Sequence, residues 1–183
     1  MSTTLSTPVL SPPPATRLNV RFGAIAVVAL AVDLLTKQWA IGTLDQGAIV
    51  ISNWFSFMLV FNTGAAGGVS LGPYTWLINV IGTTLTIALV ASVVVALARV
   101  DSRAVLAMGL IAGGAGGNLA SLLVEPRGVP DFLAMQIPGA VVVFNIADVA
   151  LWSGALVLLP IVVTLVRAVR AERRQTARTR VTA

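Results

Sequence analysis

The sequence predicts an all-α membrane protein, with four transmembrane helices and a small extracytoplasmic β element between the first and second. Composition is the first sign. Of 183 residues, 57% are hydrophobic and only 10% charged, with a mean hydropathy of +0.93. A soluble domain carries about 25% charged residues. The second sign is four apolar runs, near 22–44, 73–98, 104–124 and 145–168. Each reaches about 20 residues, enough to cross a hydrocarbon core of roughly 30 Å at about 1.5 Å per residue. The third is where the charges fall. Arg17 and Arg21 precede the first run, Arg99 and Arg103 separate the second and third, and six arginines from Arg167 to Arg180 follow the fourth. With four spans these regions share one side, while loops 45–72 and 125–144 on the other side carry only Arg127. Basic residues mark the cytoplasmic side, so both termini are expected inside and the two loops outside.

Residues 1–21 begin with a stretch rich in Ser, Thr and Pro and are expected to form a disordered cytoplasmic tail. Its arginines come late and no cleavage site follows, so it does not read as a secretory signal. Residues 22–168 hold the four spans, and 169–183 form a basic cytoplasmic tail. The sequence pI of 11.4 comes from these flanking arginines. They suit topology and contact with anionic lipid better than nucleic acid. Between the first two runs, residues 47–70 mix β-branched, aromatic and polar residues with partial alternation and then Gly. That pattern predicts short strands lying on the membrane surface.

The chain has no Cys and no His. This excludes a disulfide framework, a thiolate nucleophile, a Ser-His triad and the usual zinc ligands. Any hydrolytic chemistry falls to Asp, Glu, Lys, Ser or Thr. Charged groups in or beside membrane-length segments are costly, roughly 2.5 kcal/mol or more each. Here they are Asp33, Lys37, Asp131 and Asp148, with Glu125 nearby. Asp33 and Lys37, in VDLLTK, share a helix face at four residues' spacing and form either a structural ion pair or part of a site. Asn62-Thr63-Gly64-Ala65-Ala66 reads as a turn that an extended peptide could approach closely. The glycines before Asn118, in GGAGGN, suit close helix packing.

Asp131, in VPDF, and Asp148, in FNIAD, fall at the same membrane face, and Asn145 shares the face of Asp148. Two carboxyls at one depth point to a dyad. Held close, like charges cannot both ionise, so they share a proton. The ionised partner draws a proton from water while the protonated one polarises a carbonyl.

VDLLTK, FNTGAA, GGAGGN, VPDF and FNIAD, in this order, resemble the lipoprotein signal peptidases (signal peptidase II), four-span aspartic peptidases of bacterial membranes. The resemblance covers about residues 22–168. It implies an endopeptidase of the bacterial cytoplasmic membrane that removes the signal peptide before a diacylglyceryl-modified cysteine of a prolipoprotein. It implies Asp131 and Asp148 as the catalytic pair, with Asp33, Lys37, Asn62, Gly64, Asn118 and Asn145 supporting the site or contacting substrate. Water rather than a protein nucleophile attacks, and no metal or other cofactor is called for. The chain departs from the family at Ser121 and Leu122, where an Asp-Arg pair is usual, and at Gly67, where Phe is usual. Arg127 either takes over a contact to a lipid phosphate or substrate carbonyl, or pairs with Glu125 in solvent. Two other readings compete: a divergent homologue that binds lipidated peptides with weak activity, and a small ion- or proton-coupled transporter. A transporter usually shows internal repeats, and none is visible here.

Overall fold

The computed structural model describes residues 13–64, 70 and 72–181, with 175–181 as backbone only. Four helices carry the architecture: α1 (Ala15–Leu44), α2 (Thr75–Val100), α3 (Arg103–Val124) and α4 (Ile146–Val181). Each contains a segment long and apolar enough to cross a membrane. The helix α1 begins inside the stretch expected as a tail: Ala15–Arg21 is helical, and residues 1–12 lie outside the described part. The reason is length. A helix of 30 residues spans about 45 Å and outruns a hydrocarbon core of about 30 Å. Its first turns therefore carry Arg17 and Arg21 beyond the apolar zone.

The middle helix is α3, which packs against α1, α2 and α4. More than half of its residues are buried. The other three turn large apolar side chains outward, among them Val28, Leu35, Leu85, Leu89, Leu156 and Leu159. Lipid rather than protein is the solvent for such faces. Close approach to α3 depends on its small residues. A Cβ on Gly113 would overlap the Ala26 carbonyl of α1, and one on Gly114 the Ala147 carbonyl of α4. A Cβ on Gly117 would strike the Asp33 carboxylate. The glycine run is thus a packing device, and one of its members clears space for a buried charge.

The expected strands between the first two helices are present as β1 (Ile49–Val50) and β2 (Phe55–Asn62). The β element is larger than expected, however. The segment between α3 and α4, expected only as a loop, forms β3 (Val129–Ile137) and β4 (Ala140–Phe144). All four strands make one antiparallel sheet in chain order. Pro138-Gly139 turns the second hairpin, with Ile137 opposite Ala140 and Gly139 at φ 82°. That angle suits glycine at the third position of a type II turn. Gly128 leads into β3 at φ 113°, where a Cβ would meet the Asn62 carbonyl oxygen at 2.6 Å. Only glycine serves both conditions there.

The sheet is anchored to the C-terminal end of α1. Ala40 and Leu44 are buried with Phe132 of β3, against Phe57 and Leu59 of β2. Trp39 meets Phe57 edge-on at 5.4 Å and Phe132 at 6.1 Å between ring centroids. This apolar joint holds β3, and with it Asp131, over the ends of the helices.

Candidate active site

The pairing of β2 with β3 sets Val60 opposite Asp131 and Asn62 opposite Val129. Asn62 then reaches Asp131: its Nδ2 donates to Oδ2 at 3.1 Å, while its Oδ1 accepts from the Gly64 backbone N–H at 2.9 Å. The turn read in Asn62-Thr63-Gly64 is therefore tied to the carboxylate. Ala65, Ala66 and Gly67 lie outside the described residues. A further amide, Asn79 of α2, donates to the Gly64 carbonyl at 3.1 Å. Sequence reasoning passed over Asn79, although it is the only amide side chain in the second apolar run.

Asp148 sits in the first turn of α4, and Asn145 immediately precedes that helix. The two form a reciprocal cap. The Asp148 backbone N–H donates to Asn145 Oδ1 at 3.0 Å, and the Asn145 backbone N–H donates to Asp148 Oδ2 at 3.2 Å. Such a box satisfies amides that a helix start otherwise leaves unpaired. With Oδ1 committed to the cap, Asn145 Nδ2 faces the other way. It donates to Asp131 Oδ1 at 2.6 Å and to Asn118 Oδ1 at 3.1 Å. Asn118 Nδ2 in turn donates to Asp148 Oδ1 at 3.0 Å. Asp131 and Asp148 are thus held in one amide network, Asp131 being 4% exposed and Asn145 fully buried.

The network continues into the membrane-spanning part of α1. Lys37 Nζ lies 2.7 Å from Asp33 Oδ2 and donates to Asn118 Oδ1 at 2.8 Å. Asp33 Oδ1 accepts the Ala147 backbone N–H at 2.8 Å. Asp33 therefore neutralises Lys37 and caps α4 at once. Burial, and then the Asp148 charge, push the Asp131 carboxyl up to about 6 against opposing hydrogen bonds from Asn62 and Asn145.

Arg127 pairs with Glu125 in two places, Nε to Oε1 at 2.8 Å and Nη2 to Oε2 at 3.1 Å, and stacks 4.0 Å over the Phe61 ring. Its hydrogen bonds hold the Glu125 carboxyl below the usual range. The Ser121 hydroxyl donates to the Gly117 carbonyl within α3, and the Leu122 carbonyl accepts from the Trp76 indole at 2.9 Å. Among the described residues, no group of three or more Asp or Glu stands together in a way that could hold a metal ion.

With this geometry goes a family match: the model of signal peptidase (SPase) II fits residues 25–164. The chain belongs to the signal peptidase II family. Similar proteins include the lipoprotein signal peptidase of Mycobacterium tuberculosis, 34% identical over 81% of this chain and 73% of that one. Another is that of Rhodopseudomonas palustris, 36% identical over 76% of this chain and 90% of that one. A solved structure described as a bacterial membrane enzyme superposes with a TM-score of 0.68 over 77% of this chain and 86% of that one, at 24% identity. A second reaches 0.66 at 25% identity, over 76% and 90%. The molecule is thus a multi-pass bacterial membrane peptidase of the aspartic type. Five sequence-predicted residues besides the two aspartates, namely Asp33, Lys37, Asn62, Asn118 and Asn145, fall in the network, and Gly64 is bonded to it. Arg127 is bonded instead to Glu125.

Proposed function

We propose that this peptidase removes signal peptides from diacylglyceryl-modified prolipoproteins, with Asp131 and Asp148 as the catalytic pair. One observation carries the reading: a single residue, Asn145, donates to both carboxylates, from its amide to Asp131 and from its backbone to Asp148. The Asp148 charge helps raise the Asp131 carboxyl, and in this reading the two coupled acids share one proton. The ionised carboxylate takes a proton from water as the water oxygen attacks the scissile carbonyl carbon. The protonated partner donates a hydrogen bond to the carbonyl oxygen. A proton then passes to the leaving nitrogen of the lipidated cysteine, the C–N bond breaks, and a carboxylate and an amine are left. The diacylglyceryl chains lie among membrane lipids. Arg127, on the ring of Phe61 next to Asn62, is a candidate contact for a lipid phosphate or substrate carbonyl in exchange for Glu125. The test is incubation of purified protein with a diacylated prolipoprotein and with its unlipidated counterpart. Mass spectrometry should find a new N-terminal diacylglyceryl-cysteine from the first and no product from the second. Equal cleavage of both would overturn the assigned substrate.

A shared proton has a pH signature. The free enzyme needs one proton on the pair, and Asp131 holds its proton up to about pH 6. kcat/KM, which reports the free enzyme, should therefore fall as pH rises through that value. The fall in kcat should come at higher pH, because bound lipidated substrate displaces water and raises the buried Asp131 carboxyl further. A kcat/KM profile flat from about pH 4 to about pH 8 would contradict a proton-sharing pair.

The site faces the extracytoplasmic side in this reading, with both termini cytoplasmic. The arginine distribution supports it. Reporter fusions after Ser102 and Ala183 should read cytoplasmic, and one after Gln46 extracytoplasmic. The inverse pattern would put the pair on the wrong side for a secreted substrate.

A further inference from the structure

We infer that Lys37 is a positioning residue for the catalytic pair, acting through the orientation of the Asn118 side-chain amide. The inference rests on the dyad reading above and assigns Lys37 a task beyond neutralising Asp33. An ammonium has three donors and no acceptor. The Asn118 atom 2.8 Å from Lys37 Nζ is therefore its oxygen, which turns the Asn118 NH2 group toward Asp148 Oδ1 at 3.0 Å. The same oxygen accepts from Asn145 Nδ2, which also donates to Asp131. One cation thus helps order the Asn118 amide that holds Asp148, and the oxygen it binds also receives the Asn145 amide that holds Asp131. Asp33 contributes by holding Nζ in place at 2.7 Å.

The ammonium is one of three groups that fix the Asn118 amide, beside the Asn145 amide and the Asp148 carboxylate, and without it that amide loses its charged donor. Turned over, it would present its oxygen to Asp148 and its NH2 to Asn145 Nδ2, an acceptor against a carboxylate and a donor against a donor. The charged groups around Lys37 are Asp33 on its own helix, Asp148 on α4 and Asp131 on β3. Asn118, its contact on α3, carries no charge. Lys37 and Asp33 are 2% and 0% exposed, so this cation is buried within the protein.

The test separates orientation from ion pairing. Lys37→Met alone leaves Asp33 unpaired and can fail to fold. The double variant Asp33→Asn/Lys37→Met removes both charges and keeps an oxygen for the Ala147 N–H. It should unfold near the wild-type temperature, yet its kcat on a diacylated prolipoprotein should fall about tenfold or more, with KM little changed. Asn118→Leu, which leaves the ion pair in place, should lower kcat to the same degree. Adding it to the double variant should cost nothing more. Normal kcat in a stable double variant, or losses that multiply in the triple, would overturn the inference. If Asp131→Asn and Asp148→Asn abolish cleavage in parallel while the double variant cleaves normally, only Lys37's role fails. If those aspartate variants cleave like wild type, the dyad reading fails and this inference with it.

Discussion

Asp33→Ala should destabilise the folded protein by about 3 kcal/mol or more, and Lys37→Ala by a comparable amount. Both side chains are almost wholly buried. Removing either leaves its partner as an uncompensated charge away from water. Asp33→Ala also frees the Ala147 N–H, which has Asp33 Oδ1 as its acceptor at 2.8 Å. The singles therefore carry the cost of an orphaned charge, and the double variant Asp33→Ala/Lys37→Ala does not. The double should be milder than the sum of the singles, with a coupling of at least about 1 kcal/mol. Thermal unfolding in detergent reads this directly. A double variant that loses as much as the two singles added together would contradict a buried, coupled pair.

The spans are legible in the sequence because hydrocarbon imposes a length and charge placement imposes a direction. Both signals are local. The β3–β4 hairpin is not legible in the same way. Val129–Ile137 holds Pro130 and the buried Asp131, with no clean alternation of polar and apolar residues. Its strand character comes from pairing with β2, far away in the chain. The one local sign was Pro138-Gly139, a turn dipeptide between two apolar stretches. The two aspartates could be brought together from depth alone. The cap that Asp33 places on α4 could not, since it joins residues 114 positions apart. In the sequence, Asn145 shares a helix face with Asp148. Its more telling role, as the cap before α4 that reaches across to Asp131, depends on where β3 lies. Asn79 was readable as a lone amide in an apolar run, but its target, the Gly64 carbonyl, is visible only in the fold.

Asp131→Asn and Asp148→Asn should each lower the cleavage rate at least about 100-fold. Asparagine keeps the shape of the side chain and an oxygen for the neighbouring amides. It can neither accept a proton from water nor hold one for the carbonyl oxygen. The amide introduced in place of the Asp131 carboxylate would also set its NH2 against a donor of Asn62 or Asn145, which now meet carboxylate oxygens at 3.1 and 2.6 Å. Some loss of order is expected there, so unfolding temperature is measured alongside activity. The loss should appear in the chemical step rather than in binding, because neither substitution removes a large apolar surface. The decisive measurement is the single-turnover rate of diacylated prolipoprotein cleavage by purified wild-type protein, Asp131→Asn and Asp148→Asn, all folded in the same lipid. Cleavage by the wild type with both variants slowed at least about 100-fold is the expected result; near-wild-type turnover by either folded variant would contradict the Asp131/Asp148 pair.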